Sequence, residues 1–179
     1  MSKETTTEEE FGNYVANISS INRKILRLLF DIEIKKNNDL EKEVESIKNH
    51  PKIEENLFFF EGTLDFGSMI ILLKKSINKN KLLILLKNKD NFNDNEKNES
   101  NIFKNYLKKS LILRNDIWHN NVDFQNYRKY INVITAIKKS YEMLKNNESL
   151  NKKELFEKAI KYIDIVLEFL ENNDKKNQK

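Results

Sequence analysis

Apolar residues recur at helical spacing along most of the chain, the pattern expected of amphipathic helices that bury one face. Phe11, Tyr14, Val15, Ile18, Ile25, Leu26, Leu29 and Ile32 fall on one side of a long first helix expected over residues 8–36, and Thr7 with Glu10 offers a capping box at its start. Asn38 and Glu41 repeat the cap-like pattern before Leu40, Val44 and Ile47. His50-Pro51 should end that short helix, because the residue before proline resists the α region. After Phe58, Phe59 and Phe60, which read as core, Thr63 and Asp65 are candidate N-caps for a third helix bearing Phe66, Met69, Ile70, Leu73 and Ile77. Lys81–Leu86 is too short and too evenly apolar for its period to be read, and is expected to be a buried helical piece.

Between residues 88 and 98 the chain is nearly all Asn, Asp, Lys and Glu, which predicts a flexible loop. Phe103, Tyr106, Leu107, Leu113 and Ile117 then mark a fourth helix, and Asp123 is the expected cap of a fifth with Phe124, Tyr127, Ile131, Ile134, Ile137 and Tyr141. Asn151 and Glu154 should start the last, whose stripe of Leu155, Phe156, Ala159, Ile160, Ile163, Val166, Leu167 and Leu170 is the cleanest in the chain. A polar lead over residues 1–7 and a polar, frayed tail over 171–179 complete a single domain, residues 1–179. The expected architecture is all-α, a compact bundle of about five to six helices.

Composition agrees with this and narrows the chemistry. Three Gly and one Pro in 179 residues are too few turn formers for a sandwich or barrel. No Cys means no disulfide and no thiolate metal site, which fits a reducing, cytoplasmic setting. Met1 to Glu10 is acidic without an apolar core, so no signal peptide is expected there, and no apolar run approaches the roughly 20 residues of a membrane span. The net charge of +4 suggests an anionic partner, although the abundance of Lys, Asn and Ile also fits A/T-rich coding.

Only two histidines, His50 and His119, are present, far apart and beside no carboxylate pair of ligand spacing, so neither a metal nor a cofactor is expected. No Gly-rich loop opens a helix and no Ser sits in a Gly-x-Ser-x-Gly elbow. His50 reads as a loop residue without function. The segment that remains is Arg114-Asn115-Asp116-Ile117-Trp118-His119. With Arg114 at zero on a helical wheel, Trp118, Asn115 and His119 fall at about 40°, 100° and 140°, whereas Ile117 at about 300° joins the core stripe. Arg114 supplies a planar fork for phosphate, Asn115 an orienting amide, and His119 a group that exchanges protons near neutral pH. These are the parts of metal-free phosphodiester cleavage. Asp116 faces elsewhere and reads as solvated or paired with a nearby Lys.

Arg114, Asn115 and His119, as Arg-Asn-x-x-x-His late in a helix of a small all-α chain, resemble the motif of the HEPN superfamily (higher eukaryotes and prokaryotes nucleotide-binding domains). Thr63-Leu64-Asp65-Phe66-Gly67 is a softer echo of the same family. The resemblance, over roughly residues 8–170, implies a metal-independent endoribonuclease that forms a 2′,3′-cyclic phosphate, acting as a toxin or an antiviral, abortive-infection effector. It also implies a homodimer with a composite site, and a neutralising antitoxin or defence-system partner protein. An Arg and a His about 140° apart on one helix do not converge easily on one phosphate, which agrees with assembly in trans. Over residues 99–145, nine Lys or Arg stand against four acids, so Lys108, Lys109 and Trp118 are the candidate RNA-binding residues. Two structural readings compete with these roles: Trp118 packing at the core rim rather than stacking on a base, and His119 serving only as a helix C-cap. A non-catalytic HEPN-like module binding RNA or protein is the functional alternative.

Overall fold

In the computed structural model, the described residues are 6–49, 59–60, 63–79, 81–86 and 94–178. His50 and Phe58 lie outside them. Among the described residues six helices follow in order: α1 (Thr7–Ile34), α2 (Asn38–Asn49), α3 (Phe66–Asn78), α4 (Asp94–Trp118), α5 (Tyr127–Lys145) and α6 (Lys153–Asn177). A two-residue antiparallel ladder of β1 (Phe59–Phe60) and β2 (Thr63–Leu64) precedes α3. The protein is an all-α bundle.

The apolar stripes anticipated from the sequence meet in one core. Phe11, Val15, Leu26 and Leu29 of α1, Met69 and Leu73 of α3, Tyr106 and Leu113 of α4, Ile134 and Ile137 of α5, and Phe156 and Val166 of α6 are fully buried. Aromatic rings join the layers: Phe11 packs against Tyr127 at 5.1 Å and edge-on to Tyr130 at 5.4 Å. A buried polar link crosses the core where the Tyr141 hydroxyl donates to Asn22 Oδ1 at 2.8 Å. Helices α4 and α5 run side by side, α6 covers α5, and α1 touches all three.

The caps depart from expectation by a residue or more. Thr6, not Thr7, caps α1 by accepting from Glu9 N–H at 3.2 Å, and Asn37, not Asn38, accepts from Leu40 N–H at 3.1 Å at the start of α2. Asp65 does cap α3. Asn126 replaces Asp123 as the cap of α5, leaving Phe124 in the preceding turn. Asn151 has φ 48°, a left-handed conformation that an N-cap, which needs extended backbone, cannot use, and α6 begins after Lys152 without a side-chain cap. The polar stretch from Asp94 and the tail through Asn177 are both helical, where a loop and fraying were expected.

The largest departure is Lys81–Leu86, which is not helical. The reason is Glu33, completely buried, whose carboxylate accepts from the N–H groups of Leu83 (2.6 Å), Ile84 (2.9 Å) and Leu85 (3.0 Å). Three consecutive amides aimed at one carboxylate cannot also bond carbonyls four residues back. Asn37 Nδ2 completes the arrangement, donating to Glu33 Oε1 at 2.8 Å and to the Lys81 carbonyl at 2.6 Å.

Candidate functional site

Helix α4 ends in a complete C-terminal motif. Asn120 takes φ 52°, its N–H donates to the Ile117 carbonyl at 3.2 Å, and Asn121 N–H donates to the Asp116 carbonyl at 2.8 Å. This is the 6→1 and 5→2 pattern of a Schellman motif, with asparagine tolerating the left-handed position. His119 is therefore the C-cap residue. It is exposed, and its imidazole has no hydrogen-bond partner among the described residues.

One turn earlier the structure brings three of the sequence candidates together. Arg114 Nη1 donates to Asn115 Oδ1 at 3.0 Å, and the guanidinium lies 5.1 Å from the centre of the Trp118 ring. That is cation–π distance, and it holds the arginine fork over the end of the helix. Trp118 does not pack at the core rim, the competing structural reading: it is 67% exposed. Ile117 packs against the core on the opposite side.

Arg114 and Trp118 form one wall of a groove of about 550 Å³, whose other lining residues are Arg23, Lys24 and Arg27 of α1 and Leu64, Asp65 and Phe66 at the entry to α3. The Thr63–Gly67 segment singled out in the sequence thus reaches the same place as Arg114. Among the described residues four cations line this groove against one carboxylate. That carboxylate, Asp65, accepts from Gly67 N–H and Ser68 N–H, both at 3.0 Å, and from the Ser68 hydroxyl. Arg27 donates to the Leu64 carbonyl, which ties the α3 entry to α1.

Lys108, Lys109, Asn115 and His119 do not line the groove. The cations of α1 were missed because their context, Arg23-Lys24-Ile25-Leu26-Arg27, reads as a helix alternating core and solvated positions. The available signal was Arg23 and Arg27 at i,i+4 with Lys24 beside them, an unbalanced cationic face on a helix otherwise rich in acids at its start.

Asp116 anchors the turn that presents His119. Lys129 Nζ lies 2.6 Å from its Oδ2, and the buried Tyr130 hydroxyl donates to the same oxygen at 2.9 Å while accepting from Asp123 N–H at 3.3 Å. Burial and the neighbouring Asp116 carboxylate both push the Tyr130 phenol well up, so it remains a donor. The expected pairing of Asp116 with a nearby lysine is what the structure has.

Among the described residues no cluster of three or more His, Cys, Asp or Glu is placed to hold a metal ion, and no helix is long and apolar enough to cross a membrane. Compared with family models, with curated proteins and with solved structures, the chain matches none.

Proposed function

We propose that this protein is a metal-independent endoribonuclease of the HEPN kind, acting as a homodimer in cellular defence or as a toxin. The observation that carries the reading is the end of α4, where Arg114 and Asn115 are in contact beside a four-cation groove and His119 stands exposed one residue past Trp118. In the proposed reaction His119 takes the proton of a ribose 2′-OH, or gives one to the leaving 5′-oxygen. The 2′-oxygen attacks the adjacent phosphorus, the bond to the 5′-oxygen breaks, and a 2′,3′-cyclic phosphate results. Arg114 offsets the charge that grows on the phosphoryl oxygens, and Asn115 orients the arginine fork or the phosphate.

Within one chain His119 is not among the residues that line the groove with Arg114. A twofold assembly that supplies Arg114 from one protomer and His119 from the other resolves this. Complementation tests it: equal amounts of Arg114→Ala and His119→Ala protein, each inactive, should regain about a quarter of wild-type cleavage after subunit exchange, since half the dimers are mixed and one of their two sites is intact. No regain, or a chain that sediments as a monomer at micromolar concentration, removes the trans assembly. The position of His119 outside the groove also favours one alternative, an RNA- or protein-binding module of the same fold that does not cleave. A toxin would further require a neutralising partner, and growth arrest on expression of wild type but not of His119→Ala checks that part.

A further inference from the structure

We infer that the groove between α1, the entry to α3 and the end of α4 is a docking subsite for single-stranded RNA, with Arg23 and Lys24 holding phosphates and Trp118 stacking an unpaired base. The choice of RNA as the ligand rests on the ribonuclease reading; the groove's preference for an anionic strand does not.

The electrostatics come first. Among the described residues none of Arg23, Lys24, Arg27 and Arg114 has a carboxylate within ion-pair distance, and the one acid in the groove is committed to capping α3. Some lysines elsewhere are engaged, Lys129 with Asp116, Lys138 with Asp164 and Lys158 with Glu154, and Lys108 and Lys109, which have no ion pair among the described residues, do not line this groove. Among the described residues no carboxylate neutralises the cations that the groove gathers, so an anion entering it displaces no ion-pair partner there.

The division of labour follows from what each cation already does. Arg27 is bound to the Leu64 carbonyl and Arg114 to Asn115 and the Trp118 ring, so both are held in place. Arg23 and Lys24 are exposed and make no such contact among the described residues, which leaves their donors for a ligand.

Trp118 supplies the part that a phosphate site alone would lack. An indole that is 67% exposed loses water-contact cost when a flat base covers it, and every base has a face to offer. A paired base cannot present that face, so the ligand is a single strand rather than a duplex. A volume of about 550 Å³ lies within the range of about 300–1,000 Å³ common for small-molecule sites. It therefore suits a nucleotide or two of a longer strand.

The test uses a fluorescein-labelled 2′-O-methyl oligouridine of about a dozen nucleotides, which lacks the 2′-OH nucleophile and stays intact whatever the protein can cleave. Anisotropy titrations at several salt concentrations compare wild type with Arg23→Gln/Lys24→Gln and with Trp118→Ala, and a 2′-O-methyl duplex of equal length serves as the second probe. Neutralising Arg23 and Lys24, both exposed and so harmless to folding, should lower the log–log salt slope by about 1.4, from about 0.7 per phosphate contact. Trp118→Ala should weaken the single strand about tenfold and leave the duplex unchanged. Unchanged affinity and slope in the double variant overturn the subsite, and equal losses for strand and duplex in Trp118→Ala overturn the stacking. Binding that follows this pattern in a protein that cuts no RNA upholds the subsite and removes the nuclease reading, so the two fail separately.

Discussion

Replacing Asp116 by alanine should destabilise the protein and disable cleavage by moving His119, although Asp116 touches no reacting atom. The side chain is 14% exposed and its Oδ2 serves two donors, the Lys129 ammonium at 2.6 Å and the Tyr130 hydroxyl at 2.9 Å. Lys129 is 32% exposed, so the pair lies between a solvated ion pair, worth about 0–1 kcal/mol, and a buried one, whose breakage costs about 3–5 kcal/mol. About 1–2 kcal/mol is a reasonable share for it. Tyr130 is fully buried and would lose its acceptor, costing about 1–2 kcal/mol more. The expected total of about 3 kcal/mol is a large part of the 5–15 kcal/mol typical of a domain, yet leaves it folded. Asp116→Asn keeps an acceptor for Tyr130 and should lose only about half as much. Urea unfolding of the three proteins gives these differences directly. RNA cleavage should fall in Asp116→Ala at concentrations where the folded fraction is complete, with binding of the uncleavable oligouridine retained. A stability loss below about 1 kcal/mol, or full cleavage in Asp116→Ala, would show that Asp116 does not anchor the turn carrying His119.

Two further perturbations test the fold. Glu33→Ala removes the acceptor for three amides, that of Leu85 buried and those of Leu83 and Ile84 part-buried, and should cost about 2–4 kcal/mol, with hydrogen exchange at Leu83, Ile84 and Leu85 rising more than elsewhere; preserved protection there would contradict the assigned bonds. Tyr106 is completely buried and its hydroxyl has no partner of good geometry among the described residues, so Tyr106→Phe should be neutral or stabilising in urea titrations. Burial raises the Tyr106 phenol from its ordinary 10.0. A raised group gives stability that is complete below the ordinary value and lost as pH climbs toward the folded one, so wild type should weaken above about pH 10 and Tyr106→Phe less so. An identical alkaline limb in the two proteins would show that Tyr106 does not titrate with unfolding.

The helices were legible because their signal is local. A stripe such as Phe156, Ile163, Val166 and Leu170 is written within one helix and needs no knowledge of what it packs against. Caps were legible only to within a few residues, since several Thr, Asn and Asp side chains stood near each start and tertiary packing chose among them. Lys81–Leu86 was not legible. Its conformation is set by Glu33, some fifty residues earlier, and an acidic residue on a helix ordinarily signals a solvated face.

The site divided along the same line. Arg114 and Asn115 are neighbours in sequence, and their contact follows from adjacency. The groove joins α1 to the α3 entry and the end of α4, and no spacing rule connects Arg23 with Arg114. The basic window around α4 drew attention to Lys108 and Lys109, yet the unneutralised cations beside Arg114 come from a helix whose charge looked ordinary. For Trp118 the sequence left packing and an exposed face both open, because tryptophan is usually buried and its exposure at a helix end depends on surroundings that no local pattern records.

Incubating the purified protein with mixed RNA in EDTA, beside His119→Ala, and determining the ends of any fragments decides whether His119 drives metal-free cleavage. Wild type should cleave without metal and leave fragments ending in 2′,3′-cyclic phosphate or 3′-phosphate, and a His119→Ala protein that folds and assembles as wild type does should not cleave. Dependence on Mg²⁺, fragments ending in 3′-OH, or cleavage that persists without His119 would contradict that role.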